Sequence, residues 1–119
     1  TVLTSMDDAD VHAAGYAHKP SELVLARARD AKDAGMGGLV ASAHEANLIR
    51  KEIGQAMALV TPGIRPAGAD TGDQKRVMTP ETAIAAGASH LVIGRPVVQA
   101  YDPESIMISV IKSISGALK

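Results

Sequence analysis

Two stretches of this chain carry groups suited to holding an anion. Ile93-Gly94-Arg95-Pro96 ends an apolar run with a glycine, which lets a ligand approach the backbone closely. The guanidinium that follows has a fork matched to phosphate oxygens. The same four residues also read as a tight turn with a surface arginine, and alone they do not decide between the two. The second stretch, Thr61 to Arg76, holds three glycines and two prolines without helical periodicity. It reads as a long loop, and long loops in compact domains are usually functional or disordered. Arg65, Gln74, Lys75 and Arg76 lie in it as candidate contacts for an anion or a base. Gln74 both donates and accepts, so it suits a bridge between two parts of a ligand.

Other chemistry is poorly represented. His12, His18, His44 and His90 have no metal-ligand spacing, so no metal site is expected. Asp7, Asp8 and Asp10 lack the glycine and distal glutamate of a calcium loop, and read as a solvated loop or a helix start. Ser42 has no histidine and aspartate at a spacing that would make it a nucleophile. The five methionines read as core or loop filler.

The elements that must position these groups alternate. Val2-Leu3-Thr4, Gly38–Ser42, Met57–Thr61 and His90–Gly94 are continuously apolar runs, as strands buried on both faces require. Helical patterns separate and follow them. One starts with Ser21 as cap and exits at Gly35; another runs from about His44 to Ile53 and stops at Gly54. Thr79-Pro80-Glu81 and Asp102-Pro103-Glu104 each place a capping oxygen, a proline and an acid in helix-start order. The last helix carries Ile106, Met107, Val110, Ile111 and Ile114 on one predicted face.

This β-α-β-α-β-α-β-α order predicts a parallel sheet with right-handed crossovers, in one domain spanning residues 1–119. Two architectures satisfy it: an open four-stranded doubly wound sheet, or the last four units of a (β/α)8 TIM barrel, whose full length is ~250 residues. Thr1 opens inside a strand-like run with no cap or turn before it, which favours the half-barrel and further sequence upstream. In both architectures the active groups sit at the C-terminal strand ends. That selects Thr4-Ser5, Ser42, the loop after Thr61, and Gly94-Arg95. In a barrel, the loops after the last two strands often build the phosphate site, so the two anion-suited stretches converge.

Composition bounds the remaining possibilities. Lys plus Arg is 12 and Asp plus Glu is 13, a balance that argues against a nucleic-acid arm or a membrane-surface patch. No apolar run approaches the ~18–20 residues of a membrane span. Cysteine is absent, which excludes a disulfide framework and thiolate chemistry and is compatible with a reducing cytosol.

Taken in order, Leu3-Thr4-Ser5-Met6, Ser42-Ala43-His44-Glu45-Ala46, Leu59–Pro66, Gly72-Asp73-Gln74-Lys75-Arg76 with Thr79-Pro80, and Val92–Pro96 resemble bacterial orotidine 5′-phosphate decarboxylase. The resemblance covers nearly the whole chain. Related phosphosugar decarboxylases and synthases share the Gly-Arg ending but not the Thr61–Arg76 loop. It implies a (β/α) barrel, active as a cytoplasmic homodimer, that converts orotidine 5′-monophosphate to UMP and CO2 without metal or organic cofactor. It further implies that Arg95 and the Gly94 backbone hold the phosphate and that Gln74 spans phosphate and pyrimidine. Arg65 would contact substrate from the same loop, Thr4 would lie beside the nucleoside, and Ser42 would line the pocket. The family's Lys-Asp-Lys-Asp tetrad, most of it in an Asp-x-Lys-x-x-Asp motif, has no counterpart here. Lys32-Asp33 falls on a predicted helix and Asp73-Gln74-Lys75 on the loop, so the tetrad is expected upstream. No catalytic residue is then expected in this chain. Two other readings stay open: a half-barrel that binds nucleotide phosphates without reacting them, and a structural fragment that must pair with another half-barrel.

Overall fold

The computed structural model describes residues 1–117, and its architecture is a three-stranded parallel sheet with helices between and after the strands. Helices α1 (Asp8–Ala13) and α2 (Pro20–Asp33) precede β1 (Gly38–Val40). A single 3₁₀ turn (Ala43–Glu45) runs into α3 (Ala46–Ile53), followed by β2 (Ala58–Thr61). Then come α4 (Pro80–Ala85), β3 (His90–Leu91), α5 (Arg95–Val98) and α6 (Pro103–Ala117). Strand order is β1-β2-β3, with Leu39 opposite Leu59 and Thr61 opposite Leu91.

Local chemistry explains most boundaries. The aspartate cluster is a helix start: Asp7 caps α1 and forms a reciprocal box with Asp10, each carboxylate accepting from the other's amide at about 3 Å. Helix α2 begins earlier than a Ser21 cap would place it, because Pro20 occupies the first turn and Glu22 accepts from the Lys19 amide. Gly54 leaves α3 with φ 75°, as its position after Ile53 suggested. Thr79 sits at the N-cap of α4, but its hydroxyl bonds the Thr82 hydroxyl rather than capping the helix. Asp102 accepts from the Ser105 amide at 3.1 Å and opens α6 as expected.

Three elements differ from expectation. Val2-Leu3-Thr4 is not a strand, although it lies beside β1 with the Thr1 amine donating to Val40 O at 3.1 Å. Its carbonyls are engaged elsewhere: Leu3 O accepts from Met6 N and Arg76 Nη2, and Thr4 O from the amides of Lys75 and Arg76. A ladder would need those same oxygens. The strand expected over His90–Gly94 stops at Leu91 after one further bond, Val92 N to Thr61 O. Beyond Thr61 the neighbour is Pro62, which has no amide hydrogen to continue the ladder. On α6 the five apolar residues split: Val110 is buried and Ile106 and Ile114 half-buried, whereas Met107 and Ile111 face solvent.

The core is aliphatic and lies in two clusters. The larger joins Val24 and Ala28 of α2, Ile49 of α3, and Leu39 and Leu59 of the sheet. The smaller gathers Ala43, Ile64, Ala83 and Ala88. Leu59 and Ile49 are fully buried, each contributing roughly 1.5–3 kcal/mol through burial of its side chain. Both clusters hold the strands so that their C-terminal ends, and the loop after Thr61, open toward one region.

Candidate functional site

The loop after β2 is an ordered structure braced by its own charges. Ile64 pairs with Met78 in an isolated parallel bridge, and Arg65 N donates to Met78 O at 2.9 Å. Arg65 is buried; its Nε donates to Asp70 O at 3.1 Å and its Nη1 to Ile64 O at 3.0 Å. Those bonds satisfy carbonyls that the glycine-rich backbone leaves unpaired.

Gly63 sets how the loop leaves the strand. Its φ is +71°, and a Cβ there would lie 2.5–2.8 Å from the Thr4 side chain. Only glycine allows both the left-handed turn and this approach. Thr4 is therefore enclosed, and its hydroxyl donates to the Gln74 Oε1. Two of the residues selected from sequence, Thr4 and Gln74, are thus in direct contact.

Arg95 begins α5, directly after Gly94 in the segment that follows β3, and its guanidinium pairs with Asp73, the residue before Gln74. The pair is exposed, at 45% for Arg95 and 66% for Asp73. The Arg95 hydrogen bond holds the Asp73 carboxyl below its ordinary value. Exposed ion pairs of this kind contribute little to stability. A Cβ at Gly94 would meet nothing within 4 Å.

Arg65 and Arg95 line one cavity of about 410 Å³, between the loop and the start of α6, together with Gly72, Gln99 and Ile106. Thr4, Gln74 and Gly94 are outside that lining. Ser42 is also outside it; it is buried, and its Oγ accepts from the His44 amide at 3.3 Å, starting the 3₁₀ turn. His44 Nε2 reaches Val77 O at 3.1 Å, a structural contact.

Two cations read as candidate contacts pair with carboxylates, Lys75 at the surface and Arg76 in a largely buried site. Lys75 Nζ lies 2.6 Å from Asp10 and 3.1 Å from Asp7. Those carboxylates raise the lysine pKa, Asp10 more than Asp7. Asp7 is lowered in turn, first by the Asp10 amide and then by Lys75. Arg76 pairs with Glu45, nearly out of contact with solvent. The sequence reading missed Asp73, Glu45 and Gly63 as individuals. Each stood in a quoted motif, but nothing local distinguished it from its neighbours.

A parallel β/α chain with a braced, glycine-rich loop and two arginines about one cavity belongs to the parallel α/β class. The comparisons narrow this. The family model described as orotidine 5′-phosphate decarboxylase / HUMPS matches residues 1–107. The chain superimposes on an orotidine 5′-phosphate decarboxylase from Lactobacillus acidophilus with TM-score 0.76 and 34% identity, over 96% of this chain and 46% of that one. An uncharacterized conserved protein from Geobacillus kaustophilus aligns at TM-score 0.72 and 29% identity, with the same coverages. An orotidine 5′-phosphate decarboxylase from Pyrococcus horikoshii OT3 shares the fold at TM-score 0.63 and 22% identity, over 79% of this chain and 42% of that one. The chain belongs to the orotidine 5′-phosphate decarboxylase / HUMPS family, and it spans about half the length of the solved structures it matches.

Proposed function

We propose that the complete protein is a carboxy-lyase that converts orotidine 5′-monophosphate to UMP and CO2 in pyrimidine biosynthesis. Residues 1–119 are its phosphate- and nucleotide-binding side, the last four βα units of a (β/α)8 barrel. The observation that carries this reading is the folding of the Thr61–Arg76 loop, which brings Asp73 to Arg95 and Gln74 to Thr4. One loop therefore touches both Thr4 and Arg95, the positions that family membership would assign to the nucleotide. In this reading Arg95 grips the phosphate with its fork and the Gly94 backbone approaches it closely. Gln74 leaves Thr4 to span phosphate and pyrimidine, and Thr4 stays beside the nucleoside. Arg65, with Nε and Nη1 engaged by the loop, offers Nη2.

The chemistry is division of labour. Phosphate lies far from the bond that breaks, so its binding energy orients the ring and drives loop closure, raising kcat as well as affinity. Closure excludes water from the charged centre. The carboxylate that crowds the substrate and the lysine that protonates C6 belong to the Lys-Asp-Lys-Asp tetrad, which this chain does not contain. The working form is a cytoplasmic homodimer that needs no metal or organic cofactor. Lack of the tetrad favours, for this chain by itself, nucleotide binding without turnover.

Calorimetry of the chain with UMP is the direct test. Saturable one-to-one binding is expected, with no UMP released from orotidine 5′-monophosphate. Absence of saturation would remove the nucleotide reading, and measurable turnover would overturn the division of labour. Because Asp73 occupies the fork that phosphate would take, Asp73→Asn is expected to tighten UMP about two- to fivefold, the scale of an exposed ion pair. Weaker binding by that variant would show that Asp73 helps the ligand rather than competing with it.

A further inference from the structure

We infer that the buried Glu45–Arg76 pair is a positioning strut for the nucleotide loop, setting the height of Gln74 over Thr4. Arg76 ties the loop after β2 to the turn after β1 and to the N-terminal segment. Its Nη1 donates to Glu45 on the turn after β1, and its Nη2 donates to Leu3 O at 3.2 Å. Its own amide, with that of Lys75, donates to Thr4 O at 3.0 and 2.8 Å. Gln74 lies one residue before this anchor and receives the Thr4 hydroxyl. Any displacement of Arg76 is therefore passed to Gln74 through a rigid, doubly bonded backbone step.

The cost of the arrangement argues for a role other than stability. The side chains of Arg76 and Glu45 are only 16% and 7% exposed, and Glu45 Oε2 and Arg76 Nε are buried without partners. An apolar pair would fill such a site at least as stably, whereas an ion pair selects one geometry. Glu45 is aimed inward by the 3₁₀ turn that Ser42 starts, so the fold supplies the strut's fixed end. Lys75, held by exposed Asp7 and Asp10, is a weaker outer tie on the same loop.

This inference deepens the nucleotide reading and rests on it for its binding arm, but its first readout needs no ligand. In Arg76→Lys the ammonium keeps the charge beside Glu45 but lacks the fork that also reaches Leu3 O. Amide hydrogen exchange of the unliganded chain is expected to speed about tenfold at residues 75 and 76, with Val24 and Ala28 in α2 unchanged. UMP affinity is expected to fall by a similar factor. Unchanged exchange at residues 75 and 76, or equal acceleration in α2, would overturn the strut. If the wild-type chain does not bind UMP, the nucleotide reading fails while the exchange result still decides the strut.

Discussion

Arg95→Ala is expected to weaken UMP binding by roughly ten- to a hundredfold. A hydrogen bond to a charged group contributes about 1.5–3 kcal/mol, and the guanidinium fork offers two parallel bonds to one phosphate. Folding is expected to change little, because the variant gives up only the exposed pair with Asp73. The Arg95 side chain braces no other element through a hydrogen bond among the described residues. Paired measurements settle the matter: UMP affinity by calorimetry and Tm by circular dichroism. A large loss of affinity at constant Tm assigns Arg95 to the ligand. An unchanged affinity removes it from the site, and the cavity it lines with Arg65 would need another occupant. Arg95→Lys is expected to recover only part of the loss, since an ammonium keeps the charge without the fork.

Gly63→Ala is expected to cost about 2–5 kcal/mol of stability. Two penalties add. A non-glycine residue in the left-handed region costs about 1–2 kcal/mol. The new methyl would also sit 2.5–2.8 Å from the oxygen and carbons of Thr4, and overpacking of that kind costs about 1–3 kcal/mol. Thr4 cannot retreat freely, because it is buried and its carbonyl holds Lys75 and Arg76. The relief must come from moving the loop, so the hydrogen bond from Thr4 to Gln74 is expected to break with it. Urea unfolding of the variant measures the first effect and UMP titration the second. The double variant Gly63→Ala/Thr4→Ser, which removes the crowded methyl, is expected to recover part of the stability but not the strain at φ +71°. Wild-type stability in the single variant would mean that the chain leaves the strand by another route.

Much of the element order was legible because its causes are local. Apolar runs, Pro80 and Pro103 in first helical turns, and Gly54 after Ile53 act within a turn or two of the residues they govern. The first run failed for a distant reason: the carbonyls of Leu3 and Thr4 bond residues 75 and 76, and a sequence gives no notice of such competition. Residue type also marked the loop and its cations without sorting them. By residue type alone Lys75, Arg76 and Arg95 are all cations that an anion could use. They diverge only when Lys75 meets Asp7 and Asp10, Arg76 meets buried Glu45, and Arg95 meets exposed Asp73.

Gly94 and Arg95 illustrate the division. Sequence by itself determined that a guanidinium follows an apolar run and a glycine, and that a long glycine-rich loop precedes it by one helix. Those are matters of residue type and spacing, which covalent order settles. Only the tertiary structure decided that this guanidinium is the exposed one and that the loop's other arginines are tied down. Burial and ion pairing depend on which surfaces meet, and the strength of a charge's interactions depends on how much water remains beside it.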